Sequence, residues 1–588
     1  MIDNKGSLIN GLVIICLVLI TGCSNVKNNK SVSERQAAKW ADRTLKGLSL
    51  EKKVAQLICT DVTGVYMAED DPRYQRWLKL AGEYGIGGFV LYKGTPYNVA
   101  RLLNRLQQEA EIPLLISADF EGGAGQQITG ASEFPSNMGF AAANDPDLMY
   151  KAAKIMATEG RTLGIHLSYT PVCDLTLSAE NPQESVRSFG GDVDQIRKLV
   201  GAYIKAYHEM GMLTAAKHFP GRGDMRPFPA HPGFNYLNKS ESDLIENEFR
   251  SFNNAIEEGV DFIMTEHIAV PSVTGGSELP ASVEPGLTQG VIREKLGFKG
   301  IITTDDLWYD HVVARFGAEE VAVRALEAGH DVLLKPKDPV ATIKAIAEAV
   351  NSSRISVEQI DNSVYKILYL KALLGLNKNR FIDETKVGEY VGTQAHRQVV
   401  TEVADRSITL LKNEKVLPLK NQTNMSAVNV IFAKNANNAS IEDLKSKLSS
   451  SFREVKHYVL LTESESEEYS LIEKAAADSD LVILSFFIQR ERHGDPVPLG
   501  NANLSLIRRL ITGKPGGVIG MSYGNPYIIN KINEIPAFMV GYGEGGWYGN
   551  QAVYVDTFIK ILKSELSPEG RLPVRVNDRL DIGFGLTM

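Results

Sequence analysis

A (β/α)8 barrel followed by an α/β sandwich is the fold this sequence predicts, on three observations. The chain has 588 residues, more than one ordinary domain uses and enough for a barrel of roughly 250 residues or more plus a second unit. Eight short apolar runs alternate with longer segments of helical period in its first two thirds. After a polar interval, a second alternating series follows.

The eight runs are 54–62, 86–92, 113–120, 166–175, 212–220, 261–268, 300–307 and 331–336. Each is nearly continuous in apolar residues, as parallel strands buried on both faces must be. The intervening helices include 145–164 and 192–211, each ending on a glycine, Gly164 and Gly211, suited to a left-handed cap. The barrel is assigned to 40–376 and a polar linker to 377–394. The second domain, 395–588, carries strand candidates at 407–413, 427–433, 455–461, 481–487, 517–523 and 537–542.

At the N-terminus, Lys5 precedes the apolar run 12–20, which ends at Thr21-Gly22-Cys23. The run is too short to span a bilayer, and its flanks are those of an export signal. Residues 20–23 resemble a bacterial lipobox, in which Cys23 becomes the lipidated N-terminus after cleavage, with 24–39 as tether. The expected location is the bacterial cell envelope, with a lipid anchor holding the protein to a membrane.

With 44% hydrophobic and 23% charged residues the composition is globular, and a net charge of −8 argues against a nucleic-acid partner, which needs a basic face. Two of the four cysteines lie in the export segment. The other two, Cys59 and Cys173, sit in apolar runs and read as buried thiols rather than a disulfide framework or a metal site. No zinc spacing is present, and no metal or organic cofactor is implied.

Catalytic groups of a barrel sit where strands end. Here the ends read Asp119-Phe-Glu121-Gly-Gly, Asp174, Lys217-His218-Phe-Pro-Gly, Thr265-Glu266-His267 and Thr-Thr-Asp305-Asp306-Leu, with Arg187-Ser-Phe-Gly in the loop after strand four. A rim this rich in carboxylates, cations and imidazoles suits a ligand with many hydroxyls, since each buried hydroxyl needs donors and acceptors. A carbohydrate fits that description.

The order of these motifs, with Leu-Gly-Phe-x-Gly before Thr-Asp-Asp-Leu and Glu327-Ala-Gly-His-Asp331 after it, resembles glycoside hydrolase family 3. The likeness continues in the second domain through 407–413 and Ser567-Pro-Glu-Gly-Arg-Leu-Pro573. Within that family the chain is similar to the β-N-acetylglucosaminidase branch. The resemblance implies a retaining, exo-acting hydrolase in which Asp305 attacks the anomeric carbon, while Asp119, Arg187, Lys217 and His218 hold the non-reducing sugar. Chemistry agrees independently, because a nucleophilic carboxylate must be ionised and rigidly held. Asp306 is the competing choice, and strand alternation predicts that only one of the two faces the barrel mouth.

In this branch the general acid/base is a histidine of an Asp-Ser-His motif in the loop after strand five. Here that loop reads Gly-Arg222-Gly-Asp224-Met-Arg-Pro-Phe-Pro229-Ala230-His231. Arg222 stands in place of the usual histidine between the glycines, and Pro229-Ala230 replaces Asp-Ser. His231 is the candidate acid/base by position, with Asp224, Glu491 and Glu544 competing for the role. The expected substrate is a glycan with terminal N-acetylglucosamine, such as a peptidoglycan fragment. The competing readings are a β-glucosidase or β-xylosidase of the same family, or a glycan-binding homologue that has lost turnover.

Overall fold

The computed structural model describes residues 33–588, apart from 180–183, 228, 230, 463–467, 489–496 and 545–548. Cys23 of the predicted lipobox and the acid/base candidate Glu491 therefore lie outside the described residues.

Eight parallel strands form the first sheet: β1 (Ile58–Gly64), β2 (Gly88–Gly94), β3 (Leu115–Ala118), β4 (Leu167–Ser168), β5 (Leu213–Phe219), β6 (Phe262–Thr265), β7 (Ile301–Thr304) and β8 (Leu333–Leu334). Neighbours in sequence are neighbours in space, with β8 beside β1. The ring closes between β7 and β8, where Thr303 bridges Val332 and the Thr304 hydroxyl accepts from the Leu334 N–H at 3.0 Å. Each strand falls within, or extends by at most two residues, one of the eight apolar runs.

The predicted helices form at Pro146–Thr162 and Val193–Glu209, capped by Asp145 and Asp192, whose carboxylates accept from the first-turn N–H groups. Gly164 and Gly211 take the positive φ that turns the chain out of each helix. Two thiols, Cys59 and Cys173, are free and buried in the core.

Regular structure begins within the stretch expected to be a tether. Helix Glu34–Lys46 starts inside it, capped by Ser33, and buries Ala37 and Ala41, with Ala37 packed against Ala372 of helix Val357–Leu373. Two alanines four residues apart let the helices approach closely, which a polar reading of 24–39 overlooked. The predicted linker is likewise tied down. Asn104 exchanges two hydrogen bonds with the Ile382 backbone, and Arg380 donates to the Ala110 carbonyl at 2.7 Å.

A second, six-stranded sheet follows: β9 (Thr409–Asn413), β10 (Ser426–Ala433), β11 (Glu454–Leu461), β12 (Leu481–Phe487), β13 (Val518–Ser522) and β14 (Ala537–Val540). Its order is β9-β14-β13-β12-β10-β11, parallel throughout except for the β9–β14 pair. The six strands occupy the six runs read from the sequence.

Candidate active site

A cavity of about 820 Å³ opens at the C-terminal ends of the barrel strands, lined by residues from the ends of β2, β3, β5, β6, β7 and β8 and from the loops after β4 and β5. Among the lining residues are Asp119, Arg187, Lys217, His218 and Asp305. Residues as far apart as Tyr92 and Lys335, separated by 243 positions, thus meet at one mouth, because all the strands are parallel and end there.

One side of the cavity is a buried charge cluster. Lys217 Nζ donates to Asp119 Oδ1 at 2.7 Å and lies 2.8 Å from Glu121 Oε1. Arg187 makes a two-pronged contact with Glu121, Nε–Oε2 at 3.0 Å and Nη2–Oε1 at 2.7 Å, and reaches Glu184 Oε2 at 3.0 Å. Burial works against the Glu121 carboxylate, but the charges of Arg187 and Lys217 outweigh it and hold that carboxyl well below the usual range. The Lys217 ammonium is opposed by burial and held by Asp119 and Glu121.

His218 turns Nδ1 to Asp174 Oδ2 at 2.7 Å, and its Nε2 lies 3.5 Å from Arg187 Nη2. Burial and the charge of Glu184 raise the Asp174 carboxyl to about 7 against the pull of Arg222. Donors and acceptors therefore alternate around this wall, which is the arrangement that vicinal hydroxyls require.

Asp305 follows β7. Its Oδ2 is 2.9 Å from Arg222 Nη2, and its Oδ1 accepts from the Asp306 N–H at 2.7 Å. Burial raises this carboxyl, yet Arg222, His267, the Asp306 N–H and Lys217 together more than reverse it, so Asp305 is held ionised below the ordinary carboxylate range. Arg222 also grips Glu266 through both Nε and Nη2. His267 donates from Nε2 to the Asp306 carbonyl at 3.0 Å, and its Nδ1 accepts from Ser282 Oγ at 2.8 Å. Burial lowers it to about 4, so it is a neutral imidazole at ordinary pH.

Both Asp305 and Asp306 line the cavity, contrary to the alternation argument. The strand ends at Thr304, so the two aspartates lie in the loop, where the period-two rule no longer applies. Asp306 is held by Lys335 at 2.8 Å and by Trp308 Nε1 at 3.0 Å, and burial with the Asp305 charge lifts it to about 6.

The loop after β5 folds as a small hairpin. Met225–Pro227 pairs antiparallel with Asn235–Leu237, which in turn pairs with Ile268–Ala269 beyond β6. Phe234 and Asn235 of this hairpin line the cavity, but His231 at its turn does not. His231 Nε2 lies 2.8 Å from Glu278 Oε2 and 3.2 Å from Arg315 Nη2.

Asp224 and Glu544, the remaining acid/base candidates among the described residues, also lie away from the cavity lining. Asp224 is 3.7 Å from Lys239 and 3.9 Å from Arg226. Glu544 is fully buried, accepting from Ser185 Oγ at 2.5 Å and Asn525 at 3.2 Å. It thereby anchors the turn Ser185–Arg187 from the second sheet domain, and Gly191 N–H to the Pro573 carbonyl at 3.0 Å anchors the same loop farther on.

Sequence reasoning put Glu121, Asp174, Glu266 and His267 at strand ends without giving them roles. It missed Glu184, and it treated Arg222 only as a lost histidine. The signal for the first four was their position at strand ends, and Glu184 stands three residues before Arg187.

Comparison with known proteins is consistent with this geometry. The family model described as "Glycosyl hydrolase family 3 N terminal domain" matches residues 49–370. A "Beta-N-acetylglucosaminidase/beta-glucosidase" of Cellulomonas fimi is 31% identical over 390 residues, covering 65% of this chain and 68% of that one. A "Beta-hexosaminidase" of Tolumonas auensis is 30% identical over 326 residues, 54% of this chain and 91% of its own length. Among solved structures, a glycoside hydrolase family 3 β-N-acetylglucosaminidase from Paenibacillus sp. str. FPU-7 superposes with a TM-score of 0.76 at 27% identity, covering 90% of this chain and 99% of that one.

Proposed function

This chain belongs to glycosyl hydrolase family 3, and on that footing we propose that it is a retaining, exo-acting β-N-acetylglucosaminidase with Asp305 as its nucleophile. The observation that carries the reading is Asp305 itself, a buried carboxylate held ionised by Arg222 and facing a wall of sugar-type partners across the cavity. Asp305 Oδ attacks the anomeric carbon, the glycosidic bond breaks, and water later displaces the enzyme carboxylate. Asp119, Lys217, Arg187 and His218 hold the hydroxyls of the non-reducing sugar. The ion pairs among Asp119, Lys217, Glu121 and Arg187 and the hydrogen bond from His218 to Asp174 set them in place before substrate arrives, so little ordering remains to be done on binding.

A second group must protonate the leaving oxygen. His231, favoured by sequence position, serves this role only if the hairpin turn leaves Glu278 and moves to the cavity. The Cellulomonas relative is named for both β-N-acetylglucosaminidase and β-glucosidase and the Paenibacillus structure for β-N-acetylglucosaminidase, which supports N-acetylglucosaminides as substrates, cleaved from the ends of cell-wall fragments or other glycans. Cys23 carries a lipid that holds the enzyme to a membrane of the bacterial envelope.

Chromophore release from an aryl N-acetyl-β-glucosaminide, set beside the aryl β-glucoside, tests the reading. Faster release from the N-acetylated substrate is expected. Preference for the glucoside would make the enzyme a β-glucosidase, and no release from either would leave a glycan-binding protein.

A further inference from the structure

We propose that a second cavity, at the N-terminal face of the barrel between the end of helix Pro146–Thr162 and the 377–394 segment, is a ligand site for an oxyanion, a phosphate or carboxylate that is free or carried on a sugar. It lies apart from the active-site mouth, so the inference stands whether or not the hydrolase reading above holds.

The cavity measures about 420 Å³. One wall carries Arg161, in the last turn of helix Pro146–Thr162, and His166, which directly precedes β4. The other is the segment after the barrel, through Arg380, Phe381 and Tyr390. The active-site mouth lies at the C-terminal ends of the parallel strands, so a residue at the start of β4 marks the opposite face.

Three donors at this cavity lack an anionic partner. Arg161 uses Nη1 for the Ile165 carbonyl at 3.1 Å, and Arg380 uses Nη1 for the Ala110 carbonyl at 2.7 Å and the Glu111 carbonyl at 3.4 Å. Neither guanidinium makes an ion pair among the described residues, and burial alone pulls both below the usual arginine range, Arg161 to about 10. His166 is 3% exposed. Its Nδ1 accepts from the Ile116 N–H at 2.9 Å, so the ring hydrogen sits on Nε2, which has no partner among the described residues. Burial, with Arg161 and Lys371 nearby, keeps that imidazole neutral. A guanidinium offers five N–H groups in a planar fork that fits two oxygens of one phosphate or carboxylate.

The carboxylates of the same segment are engaged elsewhere. Asp383, which also lines the cavity, accepts from the Thr385 N–H at 3.0 Å and from Thr385 Oγ1 at 2.6 Å, capping the turn Glu384–Lys386. Glu384 pairs with Arg101 at 3.2 Å, and Glu389 with Lys386 at 2.7 Å. Two half-buried arginines are thus left without a counter-charge, which a bound oxyanion would supply. Phe381 and Tyr390, 53% and 40% exposed, stand at the same cavity and offer apolar faces to whatever body carries the anion, such as a sugar ring.

Isothermal titration calorimetry of the full chain with inorganic phosphate, acetate, glucose 6-phosphate and glucuronate, against chloride at equal ionic strength, tests the site. Wild type is compared with Arg161→Gln, Arg380→Gln and Arg222→Gln, the last removing a cation of the catalytic cavity. Saturable binding is expected, weakened roughly tenfold or more in Arg161→Gln and in Arg380→Gln and unchanged in Arg222→Gln. Amide hydrogen exchange of the wild type, which needs no variant, should slow in 161–166 and 377–390 when the anion is bound. Tighter binding of glucose 6-phosphate than of phosphate, or of glucuronate than of acetate, assigns the site to a sugar-borne anion, and equal binding assigns it to the free anion. No saturable binding beyond the chloride control overturns the proposal. So does binding that is lost in Arg222→Gln and kept in the other two variants, or exchange protection confined to the catalytic cavity.

Discussion

Arg222 Nη2 lies 2.9 Å from Asp305 Oδ2, and the same guanidinium holds Glu266 while its backbone N–H donates to Asp174 Oδ1 at 2.9 Å. The residue that stands in place of the branch's usual histidine is thus the cation that most lowers the carboxyl of Asp305, the proposed nucleophile.

Replacing it has a signed consequence for pH dependence. Burial raises the Asp305 carboxyl and Arg222 is the largest influence lowering it, so in the wild type Asp305, the proposed nucleophile, keeps its charge to lower pH than an ordinary carboxylate does. In Arg222→Gln the folded-state pKa rises, and the acid limb of kcat/KM moves to higher pH. An acid limb at the wild-type position would separate Arg222 from the nucleophile.

Asp305→Asn keeps the shape of the side chain and removes its nucleophilic charge. Turnover should fall by roughly 10⁴-fold or more with the thermal unfolding midpoint little changed. Wild-type-like turnover in that variant would move the nucleophile elsewhere.

Glu121 is the common partner of Lys217 and Arg187, whose side chains are 3% and 9% exposed. Glu121→Gln leaves two buried cations short of a counter-charge and should cost about 3–5 kcal/mol of stability, read as a lower denaturant midpoint at neutral pH. The Glu121 pKa is depressed in the folded state, so its contribution is full above the unfolded value and is lost as pH falls toward the folded one. The stability gap between wild type and variant should therefore narrow in strong acid. A gap independent of pH would mean the loss is steric.

Cys23→Ala should abolish lipidation and release the protein from membranes when it is expressed with its leader. Mass spectrometry of the wild-type N-terminus checks the same point, and an unmodified chain starting elsewhere would argue against the lipobox.

The barrel and its site were legible in the sequence to an uneven degree. Eight apolar runs became eight strands because parallel strands buried on both faces must be apolar throughout, a constraint each run satisfies locally. Asp119, Lys217, His218 and Asp305 were readable because residues at the ends of such strands face the mouth. Arg187 was found only through its motif, since it sits on a loop turn.

What the amino-acid order determined by itself is the strand count, the two-sheet organisation and the set of polar groups delivered to one rim. Tertiary structure alone decided which of those groups are spent on one another. That Glu121 neutralises Arg187 and Lys217, that Arg222 reaches Asp305 across 83 positions, and that His231 meets Glu278 rather than the cavity depend on how loops from different strands fold over the mouth. Strand periodicity fixes a side chain's direction one residue at a time, but a loop's path is set by its partners. For the hairpin that carries His231 those partners are the Ile268–Ala269 strand and the His311 ring, and both are supplied by distant parts of the chain.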